Sequence, residues 1–246
     1  MLEIAAGAAV VVKAVPASPS GGAGTATVAT LCARAGSMAC VNGDFFSASR
    51  PLGGEMVDGR WIKAPTRVQQ QLWLNSANHF SIGAQPTGAL QSLGATSYAI
   101  LQPGQPIAIP EHDSFADGRF ARTLIGWDGA GNSFLVTVEQ GAGSTGMSLA
   151  EAAALMRQLG ATTAVNEDGG GSSQMVVGGS RLAAAGEAAR AVANSWAVVA
   201  APAAPAAVPA ARTSAAVPAS GASAAVQGPG ASSDGFPSRW SMRPAP

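Results

Sequence analysis

The sequence predicts an α+β, mixed α/β fold: a mixed β-sheet core carrying a few packed helices, with one β-α-β unit at 133–166. Three observations carry this expectation. Short apolar runs alternate with clusters of Gly, Pro, Asn and Asp along the first 200 residues, a pattern that reads as strands and turns. One amphipathic stretch has both of its ends marked. Ser148-Leu149-Ala150-Glu151 fits a capping box, in which the Ser hydroxyl takes a backbone N–H and the Glu reaches back. Leu149, Ala152, Ala153, Leu155, Met156 and Leu159 form a helical apolar stripe, and Gly160 supplies a left-handed end. The flanking stretches, Ser133–Glu139 and residues 162–166, read as strands, and a crossover helix of this length is what parallel neighbours need.

In chain order, Met1–Val15 reads as a strand or a pair of strands, and Pro16–Gly24 as a loop. Thr25–Ala35 is Ala-rich, with Thr25 or Thr27 as cap and Gly36 as terminator, hence a short helix. Met38–Val41 is a buried strand that runs into Asn42-Gly43-Asp44-Phe45-Phe46. Glu55–Ile62 is a hairpin, because Asp58-Gly59 suits a type I′ turn. Gln71–Asn75 alternates as a strand does. Residues 80–110 read as short strands in loop, around Ser97–Leu101 and Ile107–Ile109, and Glu111–Phe120 as a surface loop. Arg122–Trp127 and Ser133–Glu139 are strands joined by the turn Asp128–Asn132. Ser173–Val177 and Ala191–Val199 are further core strands, with Gly178-Gly179 as the intervening turn. From Ala200 the composition changes to Ala-Pro repeats and Ser/Gly tracts, too poor in large apolar residues to build a core. The chain thus divides into a domain at 1–200 and a disordered tail or linker at 201–246, whose end, Phe236–Met242, is a docking peptide or a plain terminus.

The totals exclude several classes. With net charge zero and 5% aromatic residues, no field or stacking platform points to nucleic acid. No apolar run is long enough to span a bilayer. Residues 4–12 follow Glu3 without a basic leader and read as a first strand, not a signal peptide. Cys32 and Cys40 are either a small-loop disulfide or two buried thiols.

The chemistry concentrates at Val165-Asn166-Glu167-Asp168-Gly169-Gly170-Gly171-Ser172-Ser173. Only 11% of the chain is charged, so two adjacent carboxylates at a strand end stand out. Three consecutive glycines carry a large entropy cost, accepted where backbone must turn tightly or approach something closely. Asn42-Gly43-Asp44 repeats the arrangement of strand, Asn, Gly and carboxylate, which predicts two strand ends delivering polar groups to one place. Glu167 and Asp168 face opposite ways on a strand, and Asp168, next to the glycines, is the one expected in the pocket. Asp44, Glu139, Glu167 and Asp168 are the candidate carboxylates for glycosidic cleavage. Arg122 and Arg190, with Arg67 behind them, are the candidate cations for a planar grip on phosphate or carboxylate. A P-loop lysine and a Gly-x-Ser-x-Gly elbow are both missing. His79 and His112 are too few for a triad or a zinc site. Carboxylates and carbonyls would suit Ca²⁺, but no EF-hand spacing is present. No cofactor and no metal are therefore expected.

These blocks resemble a known family. Asn42–Phe46, Pro51-Leu52-Gly53-Gly54 and Val57-Asp58-Gly59 are similar to an N-terminal block, and Arg122–Trp127 to a middle block. Gly146–Glu151, Leu159-Gly160-Ala161 and Asn166–Ser173 are similar to a C-terminal block, and Arg190–Asn194 to a closing strand. Together they resemble the phosphodiester glycosidase family over residues 1–200. The resemblance implies a mixed α/β catalytic domain that hydrolyses a sugar-1-phosphodiester, with N-acetylglucosamine as a candidate sugar. It also implies an exported or cell-surface protein acting on a glycan or cell-envelope phosphodiester. Three departures stand out. Glu167 occupies a position that is usually apolar, Val138-Glu139-Gln140-Gly141 replaces a usual Val-Asp-Gly, and the span between the first and middle blocks is short. On this reading Asp168 is the nucleophile or base, Glu139 or Asp44 the partner carboxylate, and Arg122 the charge neutraliser. Asn42, Gly43, Thr123, Asn166, Glu167, Gly169, Gly170, Gly171, Ser172 and Arg190 hold substrate. The other reading is a non-catalytic glycan- or cell-wall-binding module using the same pocket.

Overall fold

A computed structural model describes residues 1–65, 70–95, 99–104, 109, 112–141, 143–182 and 189–202. Its first sheet has the strand order β1 (Leu2–Ile4), β12 (Ser133–Val138), β11 (Arg122–Trp127), β15 (Thr163–Asn166). The second sheet runs β17 (Ser180–Leu182), β16 (Met175–Val177), β3 (Ala39–Asn42), β18 (Asn194–Ala200), β2 (Val10–Pro16). The third runs β7 (Arg60–Lys63), β6 (Glu55–Val57), β10 (Ala89–Gly94), β8 (Gln71–Asn75), β9 (Phe80–Ile82). Two small hairpins, β4 (Phe46–Ser47) with β5 (Arg50–Pro51) and β13 (Gln140–Gly141) with β14 (Ser144–Thr145), complete the strands. The helices among the described residues are α1 (Val28–Arg34), α2 (Ser114–Asp117) and α3 (Leu149–Gln158).

This is a β-rich fold, which corrects the expected α+β, mixed α/β class. The β-α-β unit at 133–166 is corrected with it. Strands β12 and β15 are not neighbours, because β11 lies between them and pairs antiparallel with both, Leu124 opposite Val136 on one side and Asn166 on the other. The tight turn at Asp128–Asn132 folds β12 back onto one edge of β11. Helix α3 then has to carry the chain across to the free edge. Every strand pairing among the described residues is antiparallel.

Alternation along the strands builds the layers. Ile125, Leu135 and Val165 of the first sheet enter a central core with Val41, Met175, Trp196 and Val198 of the second and Leu72, Leu74 and Leu93 of the third. Their neighbours Leu124, Phe134, Val136 and Ala164 face outward and are covered by Leu149, Ala152, Ala153 and Met156 of α3. Likewise Cys40, Val176 and Ala197 face Val28, Leu31 and Cys32 of α1. Each element supplies one apolar face, so removing either helix would expose a sheet face to water.

Several local expectations hold. Helix α3 has its capping box from Ser148 and Glu151. Helix α1 is capped by Thr27, whose hydroxyl accepts from Thr30 N–H, with Gly36 left-handed beyond its end. Asp58 and Gly59, both at positive φ, turn β6 into β7. Of the two readings left open for Cys32 and Cys40, the disulfide is the one formed. The stretch expected as short strands in loop at 80–110 holds β9 and, earlier than the apolar pieces singled out, β10, which pairs with both β6 and β8. The loop expected at 111–120 contains α2, nucleated by the Asp113 side chain capping Phe115 N–H. Ser97, Ile107, Arg67 and the tail beyond Pro202 lie outside the described residues.

Candidate active site

The ends of three sheets converge at one place. The first sheet brings the amino end of β11 and the carboxyl end of β15, which pair at Leu124 and Asn166. The second brings the carboxyl end of β3 and the amino end of β18, paired at Asn42 and Ser195. The third brings Gly94 opposite Gln71, with Glu55 opening β6. Asn42 ties the first two together. Its Nδ2 donates to Asp168 O at 2.7 Å, and its Oδ1 accepts from Thr123 Oγ1 at 2.7 Å and from Gln174 N at 3.0 Å. Asp168 N donates to Gly43 O at 3.0 Å, and Glu167 N to Thr123 O at 2.8 Å. The two Asn-plus-carboxylate strand ends of the sequence therefore meet.

Asn194, at the start of β18, ties in the third. Its carbonyl accepts from Gly43 N and its Oδ1 from Asp44 N at 2.8 Å, while its Nδ2 donates to Glu55 Oε1 at 2.9 Å. Gly43 has no room for a side chain, since a Cβ there would stand 2.5 Å from Asn194 Oδ1.

Four carboxyl groups share this region, and burial dominates each. Asp44 is 1% exposed; Gly53 N–H donates to its Oδ2 at 2.6 Å, whereas its Oδ1 has no partner among the described residues. Burial pushes its pKa up to about 8, with the charges of Glu55 and Asp168 adding to the rise and Gly53 N–H and Lys63 opposing it. Glu55 is raised by burial, against the Asn194 amide and Lys63. Glu167 is wholly buried, turned inward to accept from Trp196 Nε1 at 2.9 Å, and burial holds its carboxyl well above the usual range. Asp168 is half-buried. Burial raises it too, but the Ser172 side chain, the Arg190 charge and the Gly169 amide pull it back toward the ionised form. Burial thus favours the protonated form of all four carboxyls, opposed by the Lys63 charge at Asp44 and Glu55 and by the Arg190 charge at Asp168, the one nearer solvent.

The other expected residues are placed as follows. Arg190, on the exposed side, lies over the Phe46 ring at 5.1 Å and is the arginine whose charge acts on Asp168. Arg122 is fully buried. It donates to Met147 O at 2.9 Å, Phe115 O at 2.7 Å and Gly118 O at 2.9 Å, with the Phe115 and Phe120 rings against its guanidinium. Those bonds pin α2 and the approach to α3 onto β11. Glu139 follows β12, and the charges that act on Asp44, Glu167 and Asp168 do not include it. Asn166 is buried and its Nδ2 donates to Glu167 O. Gly170–Ser172 form a short 3₁₀ turn, with Gly170 at φ +56°. The Gly170 amide is engaged by Ala121 O at 2.7 Å, and a Cβ on Gly169 would stand 2.8 Å from that same oxygen. Gly169 is thus required for close backbone packing and Gly170 for its left-handed conformation, while the Gly170 amide is already taken by Ala121 O.

Sequence reasoning passed over Asn194, Glu55, Lys63 and Gln174. Asn194 stood in a recognisable block, but its side chain serves residues about 140–150 positions away, which no local signal reveals. Among the described residues no group of three or more His, Cys, Asp or Glu is placed to hold a metal ion. A surface hollow of about 240 Å³, lined by His79, Phe80, Trp127 and Asp128, lies at the opposite end of β11 from Arg122. No helix among the described residues is long and apolar enough to cross a membrane.

Solved structures similar to this chain include the following two. One is the catalytic domain of zebrafish N-acetylglucosamine-1-phosphodiester alpha-N-acetylglucosaminidase, auto-inhibited by its pro-peptide. It has a TM-score of 0.68 and 21% identity over 78% of this chain and 73% of that one. The other is a hypothetical protein from Synechocystis, with a TM-score of 0.67 and 18% identity over 78% of this chain and 57% of that one. At such identities the likeness is one of fold. No curated protein sequence matches the chain. The family model for phosphodiester glycosidases does match, over residues 35–199, and this span holds the Asn42, Asp168 and Asn194 strand ends described above. The chain belongs to the phosphodiester glycosidase family.

Proposed function

We propose that this site hydrolyses a sugar-1-phosphodiester, cutting between the anomeric carbon and the phosphate oxygen. The observation that carries the reading is the unequal setting of two nearby carboxyls. Asp44 is buried and keeps its proton up to about pH 8, while Asp168 is half-buried beside the Arg190 charge. Burial raises both, Asp44 to about 8 and Asp168 against the pull of Ser172, Arg190 and the Gly169 amide, and this difference in depth and partners is what divides acid from base. Asp168 is the nucleophile, or the base that activates water. Asp44, rather than Glu139, gives a proton to the departing phosphate oxygen. Water supplies the hydroxyl that ends on the anomeric carbon. Arg190 offsets anionic charge on the outer side, and Arg122 serves by anchoring α2 and the approach to α3.

The zebrafish neighbour is an N-acetylglucosamine-1-phosphodiester glycosidase by its description, so N-acetylglucosamine is the first sugar to try. The Cys32–Cys40 disulfide supports an oxidising, exported setting, where a cell-envelope glycan phosphodiester would be met. The test is Asp168→Asn, assayed for release of sugar from N-acetylglucosamine-1-phosphodiesters. Turnover is expected to vanish while the thermal melt stays in place. Retained turnover would remove Asp168 from the mechanism. Glycan binding by a parent protein that turns nothing over would instead favour a binding module.

A further inference from the structure

Strand β7 lies at the edge of the third sheet, and two of its side chains serve the loop that holds Asp44. The pairing of β7 with β6 shifts register between Trp61, opposite Met56, and Lys63, opposite Glu55, and both side chains reach the Gly53-Gly54 loop. Lys63 Nζ donates to Gly53 O at 2.7 Å, and Gly53 N–H in turn donates to Asp44 Oδ2 at 2.6 Å. The Lys63 charge acts on both Asp44 and Glu55. Trp61 packs against the next residue of the same loop: a Cβ on Gly54 would lie 2.6 Å from Trp61 Cζ3 and 2.8 Å from Pro65 Cδ. The indole also meets Trp73 edge to face at 5.8 Å. Trp73 is 4% exposed, whereas Trp61 remains 40% exposed.

We infer that β7 forms the leaving-group side of the site, with Lys63 holding the phosphate and Trp61 stacking on the ring of the aglycone beyond it. This rests on the hydrolase reading above. An acid must face the oxygen it protonates, so the leaving phosphate belongs on the Asp44 side. Arg190 acts on Asp168 and marks the other side. Among the described residues Lys63 is the cation whose charge acts on Asp44, and an ammonium has three donors. Among the described residues two are directed at Gly53 O and, at 3.4 Å, Ala64 O, and the third is offered to an anion. The indole is held in orientation by Gly54 and Trp73, so stacking on it costs little ordering. The occupant it suits is a sugar or other ring with an apolar face.

The test uses the full chain and three substrates sharing one sugar: a phosphodiester with a sugar aglycone, the corresponding methyl phosphodiester, and the nitrophenyl glycoside. Trp61→Ala is expected to raise KM about tenfold on the first, with kcat unchanged, and to leave the methyl phosphodiester unaffected. Lys63→Met is expected to lower kcat/KM on both phosphodiesters by about ten- to a hundredfold and to spare the nitrophenyl glycoside. Thermal melts confirm that both variants fold. Equal losses on all three substrates, or none on any, overturn the assignment. If the parent turns nothing over, the hydrolase reading falls on its own. The subsite is then judged by calorimetric titration with the sugar-aglycone phosphodiester. Binding that weakens about tenfold in Lys63→Met sustains it, and equal or absent binding refutes it.

Discussion

Replacing Asp44 by Asn would change how the stability of this protein depends on pH. The carboxyl is raised from its ordinary 3.8 to about 8. An acid raised in this way binds its proton more tightly in the folded state than in the unfolded one. Its contribution is therefore fully present below about pH 4 and is lost as pH rises toward about 8. A shift of that size, at about 1.4 kcal/mol per unit, amounts to a loss on the order of 5 kcal/mol across the window. Glu55, Glu167 and Asp168 are displaced in the same direction and steepen the slope. Asn keeps an acceptor for Gly53 N–H but places an amide donor at the buried position where Asp44 Oδ1 has no partner among the described residues, at a cost of about 1–3 kcal/mol. The variant should be the less stable protein below about pH 5 and the more stable one, by about 3 kcal/mol, near pH 8. Urea unfolding at intervals across that range, with the disulfide kept oxidised, reads the crossing directly. Parallel stability curves for the two proteins would refute the claim that Asp44 is held protonated.

Two further changes probe the supports of the site. Glu167→Leu restores the apolar residue usual in the family but strips the acceptor from the buried Trp196 N–H. It should cost about 1–3 kcal/mol at pH 6, whereas Glu167→Gln retains the bond and should cost less; a Leu variant as stable as the Gln variant in urea would contradict this. Cys32→Ser opens a disulfide between cysteines eight positions apart, worth about 2–3 kcal/mol by loop entropy. The parent should melt lower on adding reductant, and the variant should not respond.

What the residues declared by themselves was local. Ser148 and Glu151 marked a helix start, Asp58-Gly59 a hairpin, and Thr27 a cap, because each acts on backbone groups within a few positions of itself. The stretch from Asn166 to Ser173 declared a site because its composition is unaffordable in a plain turn. The meeting of Asn42 with Asp168 was inferred only from the likeness of two strand ends. The order of strands was not legible. Nothing in residues 133–166 says that β11 occupies the edge between β12 and β15, since edge choice depends on which hydrogen-bonding side is already filled.

The fates of the arginines were equally hidden. Arg122 and Arg190 look alike in sequence, yet one is enclosed by carbonyls of α2 and the approach to α3, and the other stands beside Asp168. Asn194 reaches Asp44 across 150 positions, and Asn42 reaches Asp168 across 126. Sequence fixes such partners only through the packing of whole sheets, because a side chain extends a few ångströms and the chain must first bring its neighbours there. The residue types able to do the chemistry were determined by the sequence. Which of them face one another, and which carboxyl keeps its proton, was decided by tertiary burial.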